Sequence, residues 1–522
     1  MAAQLRRLAA AAHTRRATAP RPPLAQAIER LYGWSDWSPL WLGPSGRPRP
    51  AAQQALAALA SADHDGLDPA DYGAAPLAQL ADSLLQPGPV DPEAAARFDV
   101  GLSVGLLAFV RDLHTGRVDP RAAGFRLDLP ADRHDLPGLL FSAAADGRVT
   151  ETLDELRPQV VLYAKVRDAL ARYRALAAEA AWDTIPVPAS SVRPGASLPW
   201  LHLLRTRLVL LGDLEADAAV GDSIYDGPVV DAVRRFQERH GLEPHGVLDR
   251  ATIGELNVPP ARRVRQLVLA LERLRWLPDL GPGRLIAVNI PSFHLWAWDS
   301  LSVTATPALR MNVIVGRQAL DTQTPVFLEE MHYVVFRPYW DVPPGILRRE
   351  ILPALRRNPG YLEANDMEIV QGVGQEARAV ALTPETLDQL AAGRLRVRQR
   401  PGPRNAMGLV KFIFPNDANV YLHGTPAHEL FAHARRAFSH GCVRVQHPVE
   451  LAEFVLRGVP GWNRERIVAA MRSGPPTRVN LARPIPVLLF YTTAIVTPEG
   501  QVGFYHDLYG HDARLERYLR GG

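Results

Sequence analysis

Tyr421-Leu422-His423-Gly424-Thr425-Pro426 and, further on, Phe438-Ser439-His440-Gly441-Cys442-Val443-Arg444 form the stretch on which the reading of this chain turns. It holds the only cysteine of 522 residues, so the thiol is packing, a metal ligand or a reagent. A histidine two residues before it, an arginine two residues after it and His423 upstream are cationic, polar neighbours, unlike the apolar setting of an inert thiol. They predict a thiolate accessible near neutral pH. His423 closes an apolar strand pattern, and Thr425 and Pro426 then read as the cap and first turn of a helix over 426–437. A helix of that length is ~18 Å long, so His423 and Cys442 meet only if a sheet brings the return loop, 439–445, back beside the strand end. Another helix is expected from Pro448 to Gly458.

Short β-branched and aromatic runs at 285–290, 294–298, 302–306 and 309–315 predict an antiparallel meander, which continues at 333–336, 410–414 and 420–423. The interruption at 341–407, with Pro343-Pro344 and a helical pattern over 346–356, reads as an inserted helical lid. Upstream, 24–181 is rich in Ala, Leu, Arg and Glu at helical spacing and reads as a scaffold. A proline-bearing linker then leads into three short helices, the first with Leu201, Leu204 and Leu208 on one face, the second opening at Pro228, the third near Asp249.

Composition is that of a globular chain, 47% hydrophobic and 22% charged, and its length calls for two to four domains. The net charge of +4 comes without any long basic block, which argues against a nucleic-acid partner. No run reaches the ~18 apolar residues of a membrane-spanning helix. Residues 1–23 carry two arginine pairs, but the apolar run 8–12 falls short of the ~7 residues of a secretory core. The segment therefore reads as a flexible basic tail without a complete export signal.

The quoted His423 and Ser439-His440-Gly441-Cys442 motifs resemble the catalytic signature of L,D-transpeptidases with a YkuD-like domain. Thr324-Pro325-Val326-Phe327, Pro338-Tyr339-Trp340-Asp341-Val342-Pro343-Pro344 and Phe412-Ile413-Phe414-Pro415-Asn416 are similar to the large YcbB-like subgroup, and the three-helix unit to a peptidoglycan-binding module. The resemblance implies a multidomain α+β protein: flexible segment 1–23, helical scaffold 24–190, peptidoglycan-binding-like module 191–260, β-rich catalytic domain 261–480 with the lid at 341–407, and a C-terminal β segment 481–522 packing on the scaffold.

It also implies attack by Cys442 on the L-to-D bond after the diaminopimelate of a tetrapeptide stem, release of D-alanine, and transfer to an acceptor amine as a 3→3 cross-link in the periplasm. His423 would take the thiol proton, the Gly424 carbonyl would orient its ring, and the N–H groups of Gly441 and Cys442 would hold the oxyanion. His440 is the rival base, ranked second as an auxiliary donor. Arg444 either pairs with a donor carboxylate or ties down the loop, Tyr421 and Trp340 line the cleft or fill core, and Ser439 joins the substrate-binding set. No cofactor or metal is implied; a zinc site using His428, His433 and His447 lacks the spacing of paired helical ligands. The partners implied are donor and acceptor stems, glycan contact by the helical module, and other cell-wall synthesis proteins. A cysteine hydrolase and a non-catalytic wall-binding protein are the alternatives.

Overall fold

The computed structural model describes residues 1–10, 24–127, 134–179, 182–219, 223–278, 280–300, 306–497 and 499–520. Contacts divide the chain into two compact units, one of Met1–Gly281 with Thr492–Gly522, the other of Pro282–Leu301 with Ala305–Tyr491.

The second unit is a sheet protein. In chain order its strands are β1 (Leu285–Asn289), β2 (His294–Trp298), β3 (Leu309–Gly316), β4 (Phe327–Phe336), β5 (Trp340–Asp341), β6 (Met367–Gln371), β7 (Arg378–Val380), β8 (Arg396–Gln399), β9 (Val410–Ile413), β10 (Leu422–His423), β11 (Ala437–Ser439), β12 (Val443–Val445) and β13 (Thr477–Phe490). The large sheet runs β11-β3-β12-β10-β9-β4-β13-β1-β2, and β2 pairs again with β3, closing it. Closure removes the exposed edges that an open sheet leaves. Ile286, Val288, Val313, Val334, Phe412, Leu422 and Val443 are all buried, and each such side chain contributes roughly 1.5–3 kcal/mol. The expected meander holds for β1, β2 and β3. It fails at β10–β12 and β1–β13, which are parallel, because the chain crosses over between them instead of turning back in a hairpin.

The helix expected over 426–437 is absent. Only His428–Ala432 coils, as a single 3-10 turn, and Thr425 Oγ1 accepts from the Ala427 N–H in a tight local turn. Tertiary bonds overrule the local signal. The buried Arg436 guanidinium donates to the carbonyls of Val313, Phe293 and His433, and the Arg436 carbonyl accepts from the Val315 N–H, so the chain is held extended along β3. The helix at Pro448–Leu456 forms as expected.

The insertion contains more than helices. β5-β8-β6-β7 make a four-stranded sheet, joined by helices at Leu352–Arg357 and Pro384–Ala391 and a π-helical turn at Leu347–Ile351. Leu347, Ile351, Leu355, Ile369, Leu390 and Val397 give it a core of its own. Its two ends meet where the Arg337 N–H donates to the Leu409 carbonyl at 2.8 Å.

In the first unit, helices Leu24–Trp34, Pro50–Ala60, Ala74–Leu85, Leu136–Asp146 and Val149–Leu156 share a core with the long helix Pro92–Thr115. That helix is capped by Asp91, which accepts from Glu93 and Ala94, and starts on proline. Ala2–Ala10, expected to be a flexible tail, is helical, because Leu5 and Ala9 on one face are buried in the same core. The rest of the expected tail, 11–23, lies outside the described residues.

The three module helices are Leu201–Leu211, Gly227–Arg239 and Arg250–Leu256, the last capped by Asp249. The helix Pro260–Leu274, read as the start of the catalytic domain, belongs to this unit and packs on the helix Val161–Glu179. So do β14 (Ala494–Val496), β15 (Val502–Phe504) and the helix His511–Leu519, whereas residues up to Phe490, read as part of the C-terminal segment, lie in β13. Among the described residues no helix is long and apolar enough to cross a membrane.

Candidate active site

Strand register builds the site. His423 on β10 is opposite Lys411 on β9 and Arg444 on β12, while Val443 N–H bonds to the Tyr421 carbonyl and sets Cys442 beside Tyr421. Side chains alternate faces along a strand and match across it. Leu422, Val443 and Phe412 therefore go to the buried side, and Tyr421, His423, Lys411, Cys442 and Arg444 share the other face. The parallel pairing of β10 with β12, reached by the crossover through 424–442, brings the return loop beside the strand end that carries His423.

His423 is buried, and its Nδ1 faces the Gly424 carbonyl at 2.6 Å. A carbonyl only accepts, so Nδ1 carries the proton and Nε2 keeps the lone pair that a base needs. Gly424 is held by its own N–H, which donates to the Val410 carbonyl. Gly408, at φ +63°, lets the two backbones touch, since a Cβ there would lie 2.5 Å from the Gly424 carbonyl carbon.

The half-buried thiol donates to the Asn419 carbonyl at 3.8 Å. Asn419 has φ 53°, and its loop is braced by Asn416, whose side chain bonds the Phe414 and Val420 carbonyls and the Val420 N–H. On the other side Ser439 Oγ donates to the Cys442 carbonyl at 2.5 Å and accepts from the Gly441 N–H at 3.2 Å. Thr324 Oγ1 donates to the Gly441 carbonyl at 2.8 Å. Gly441, at φ +119°, allows this tight course. The Gly441 N–H is thus occupied, and among the described residues the Cys442 N–H is left without an acceptor. Ser439 acts on the loop and not on an open cleft.

His440 turns to the insertion, with Nε2 2.8 Å from Glu350 Oε1. Next to it Arg349 pairs with Asp321. Trp340 packs against the insertion core, and Tyr421 is half-buried with Lys411 Nζ 3.8 Å from its ring centroid. His428 and His433 lie against Phe431 and Phe438. Among the described residues no group of three or more His, Cys, Asp or Glu side chains is gathered to hold a metal ion.

Burial dominates the electrostatics. It pushes His423 down to about 3, helped by Arg444 and Lys411 and opposed by the Gly424 and Met407 carbonyls. It also pushes the Cys442 thiol up, against the Tyr421 backbone bond and the pull of Lys411 and Arg444. Against the thiolate expected near neutral pH, desolvation outweighs the two cations and raises the thiol. At neutral pH both shifts favour the neutral forms, thiol and imidazole. Sequence reasoning passed over Lys411 and Glu350, and it quoted Thr324 and Asn416 only within resemblance motifs, without a role. Only Lys411 carried an independent signal, as a lone charge inside the apolar run Val410-Lys411-Phe412-Ile413-Phe414.

Fold and site together define a class: a closed, mixed β-domain with a cysteine–histidine centre, following helical modules in the chain. Residues 283–466 match the family described as the L,D-transpeptidase catalytic domain, YkuD. Residues 201–256 match a "Putative peptidoglycan binding domain" and residues 26–170 the Scaffold domain. A protein of Haemophilus influenzae (strain ATCC 51907 / DSM 11121 / KW20 / Rd) named "Putative L,D-transpeptidase" is 32% identical over 251 residues, 48% of this chain and 49% of that protein. The chain spans about half the length of that relative. It carries a YkuD L,D-transpeptidase catalytic domain downstream of a scaffold domain and a peptidoglycan-binding domain, the YcbB-like architecture.

Proposed function

We propose that the protein is a peptidoglycan L,D-transpeptidase of the cell envelope, which joins peptide stems by 3→3 cross-links through a thioester on Cys442. The observation that carries this reading is the parallel pairing of β10 with β12, which sets a histidine with its Nδ1 proton committed to Gly424 on the same face as the one thiol. Cys442 Sγ adds to the carbonyl of the L-to-D bond as His423 Nε2 takes its proton. The oxyanion accepts from the Cys442 N–H, with Ser439 and Thr324 holding the loop so that this donor stays aimed. The C–N bond then breaks, His423 returns the proton to the leaving amine, and D-alanine departs. An acceptor amine attacks the thioester and gives its proton to His423, the new C–N bond forms as the C–S bond breaks, and the departing Cys442 thiolate takes the proton back from His423. Arg444 receives a donor carboxylate, Tyr421 lines the site, and His440, held by Glu350, ties the insertion to the nucleophile loop. The module of 201–256 adds glycan contact.

Purified protein given disaccharide-tetrapeptide should release D-alanine and form cross-linked dimers, with both lost in Cys442→Ala. Free tripeptide without dimers would make it a hydrolase. Unchanged dimer formation by the variant would remove Cys442 from the reaction.

A further inference from the structure

Lys411, His423 and Arg444 stand at one level across three neighbouring strands, the cations on either side of the imidazole. Paired strands lie ~4.8 Å apart, so the outer two are about 10 Å apart, a gap across which a lysine and an arginine side chain can converge on one small anion. Both cations act on the Cys442 thiol as well as on His423. Neither has a carboxylate at ion-pair distance among the described residues; Asp341 and Glu429 act on Lys411 and Arg444 only from further away. Arg444 Nε is buried without a hydrogen-bond partner, and the half-buried Lys411 has its ammonium over the Tyr421 ring. Buried cations are ordinarily paired. Two half-buried cations without a carboxylate, beside a nucleophile, make a seat for an anion.

We propose that Lys411 is a positioning residue of the acylation step: with Arg444 it receives a carboxylate of the donor stem, and the seating of that carboxylate is what makes His423 a competent base. The inference rests on the acyl-transfer reading above. The charges facing His423 are Lys411 from β9 and Arg444 from β12, with Cys442 and Tyr421 beside them, and the two cations oppose a positive imidazole. A bound carboxylate cancels that opposition, so proton transfer from the thiol becomes easier when a donor is present. An empty site would then leave its thiol protonated and protected from adventitious electrophiles.

A tetrapeptide stem offers carboxylates at its terminal D-alanine and at the diaminopimelate side chain, and amidating each in turn distinguishes them. With wild-type protein, amidation of the seated carboxylate is expected to lower kcat/KM for D-alanine release about 10- to 100-fold, and amidation of the other to have little effect. Lys411→Met should lose a similar factor on the free-acid donor and lose no more on the seated-group amide. Lys411→Arg should recover most of the rate. Equal turnover of all three donors by the wild type, or a Lys411→Met loss that is the same for acid and amide, would overturn the proposal. Cys442→Ala run in parallel separates the two readings: D-alanine release by that variant would refute the thioester itself, whatever Lys411 does.

Discussion

Two charge clusters, a buried one in the helical unit and a half-buried one in the β-unit, are built in opposite ways. In the helical unit Arg275 donates to Glu272 Oε2 at 3.1 Å and to the Tyr163 hydroxyl at 2.9 Å, while Asp65 accepts from Tyr163 and pairs with Arg157 and Arg167. Glu272 also caps the Arg117 and Val118 N–H groups, at 2.5 and 2.8 Å. Burial raises the Tyr163 hydroxyl far above its ordinary range, and the anions around Arg275 keep its guanidinium charged despite burial. In the β-unit, Lys411 and Arg444 have no such partners, and their burial weakens their hold on a proton. Arg275 Nε is as much without a hydrogen-bond partner as Arg444 Nε, so the difference is the carboxylate: a cation that has one stabilises a fold, and one without waits for a ligand. The comparison separates structural charge from functional charge without reference to any family.

The comparison breaks most visibly at the base. His423→Ala should lower the acylation rate about 10²- to 10⁴-fold, and His440→Ala much less, as followed by thioester formation in rapid-mixing experiments; the reverse order would exchange their roles. The pH profile belongs to the same test. With His423 pushed down to about 3 and the thiol pushed up, the imidazole stays neutral and the thiolate fraction grows with rising pH. Alkylation of Cys442 by an uncharged electrophile should therefore climb past neutrality without a step near the ordinary histidine value of ~6.5. A plateau from about pH 7 would mean a thiolate–imidazolium pair at rest.

Next in size is stability. Glu272→Ala strands Arg275 and two backbone donors, and should cost about 3–5 kcal/mol, read from denaturant unfolding of the helical unit. Smallest is the effect of Lys411→Met on the unfolding of the β-unit, expected within about 1 kcal/mol of wild type, since the substitution removes a cation that has no carboxylate to leave behind. A loss as large as that of Glu272→Ala would mean that Lys411 is structural after all.

Much of this molecule is legible in the amino-acid order, and what is hidden has a common cause. The three module helices carry their own signals in Leu204, Pro228 and Asp249, and the nucleophile loop in Ser439-His440-Gly441-Cys442. Residues 426–437 look helical locally, yet only a 3-10 turn forms at His428–Ala432 and the chain after it runs along β3, because Arg436 and β3 claim it. The amphipathic helix Ala2–Ala10 was masked by its arginines, although Leu5 and Ala9 alone place it in a core. Strands as short as β5 and β7 leave too little periodicity to be told from turns, so the insertion read as helical. The site divides in the same way. His423 and Cys442 stand out by type, but the partner of Gly441 and the row Lys411, His423 and Arg444 follow from strand register, a non-local property.

The central claim is that Cys442 forms a thioester with the donor stem. Intact-protein mass spectrometry after brief mixing with disaccharide-tetrapeptide, without an acceptor, tests it most directly. The expected result is a wild-type adduct of the donor mass less D-alanine, mapped to Cys442 and absent in Cys442→Ala. An adduct on another residue, or one that persists in the variant, would contradict it.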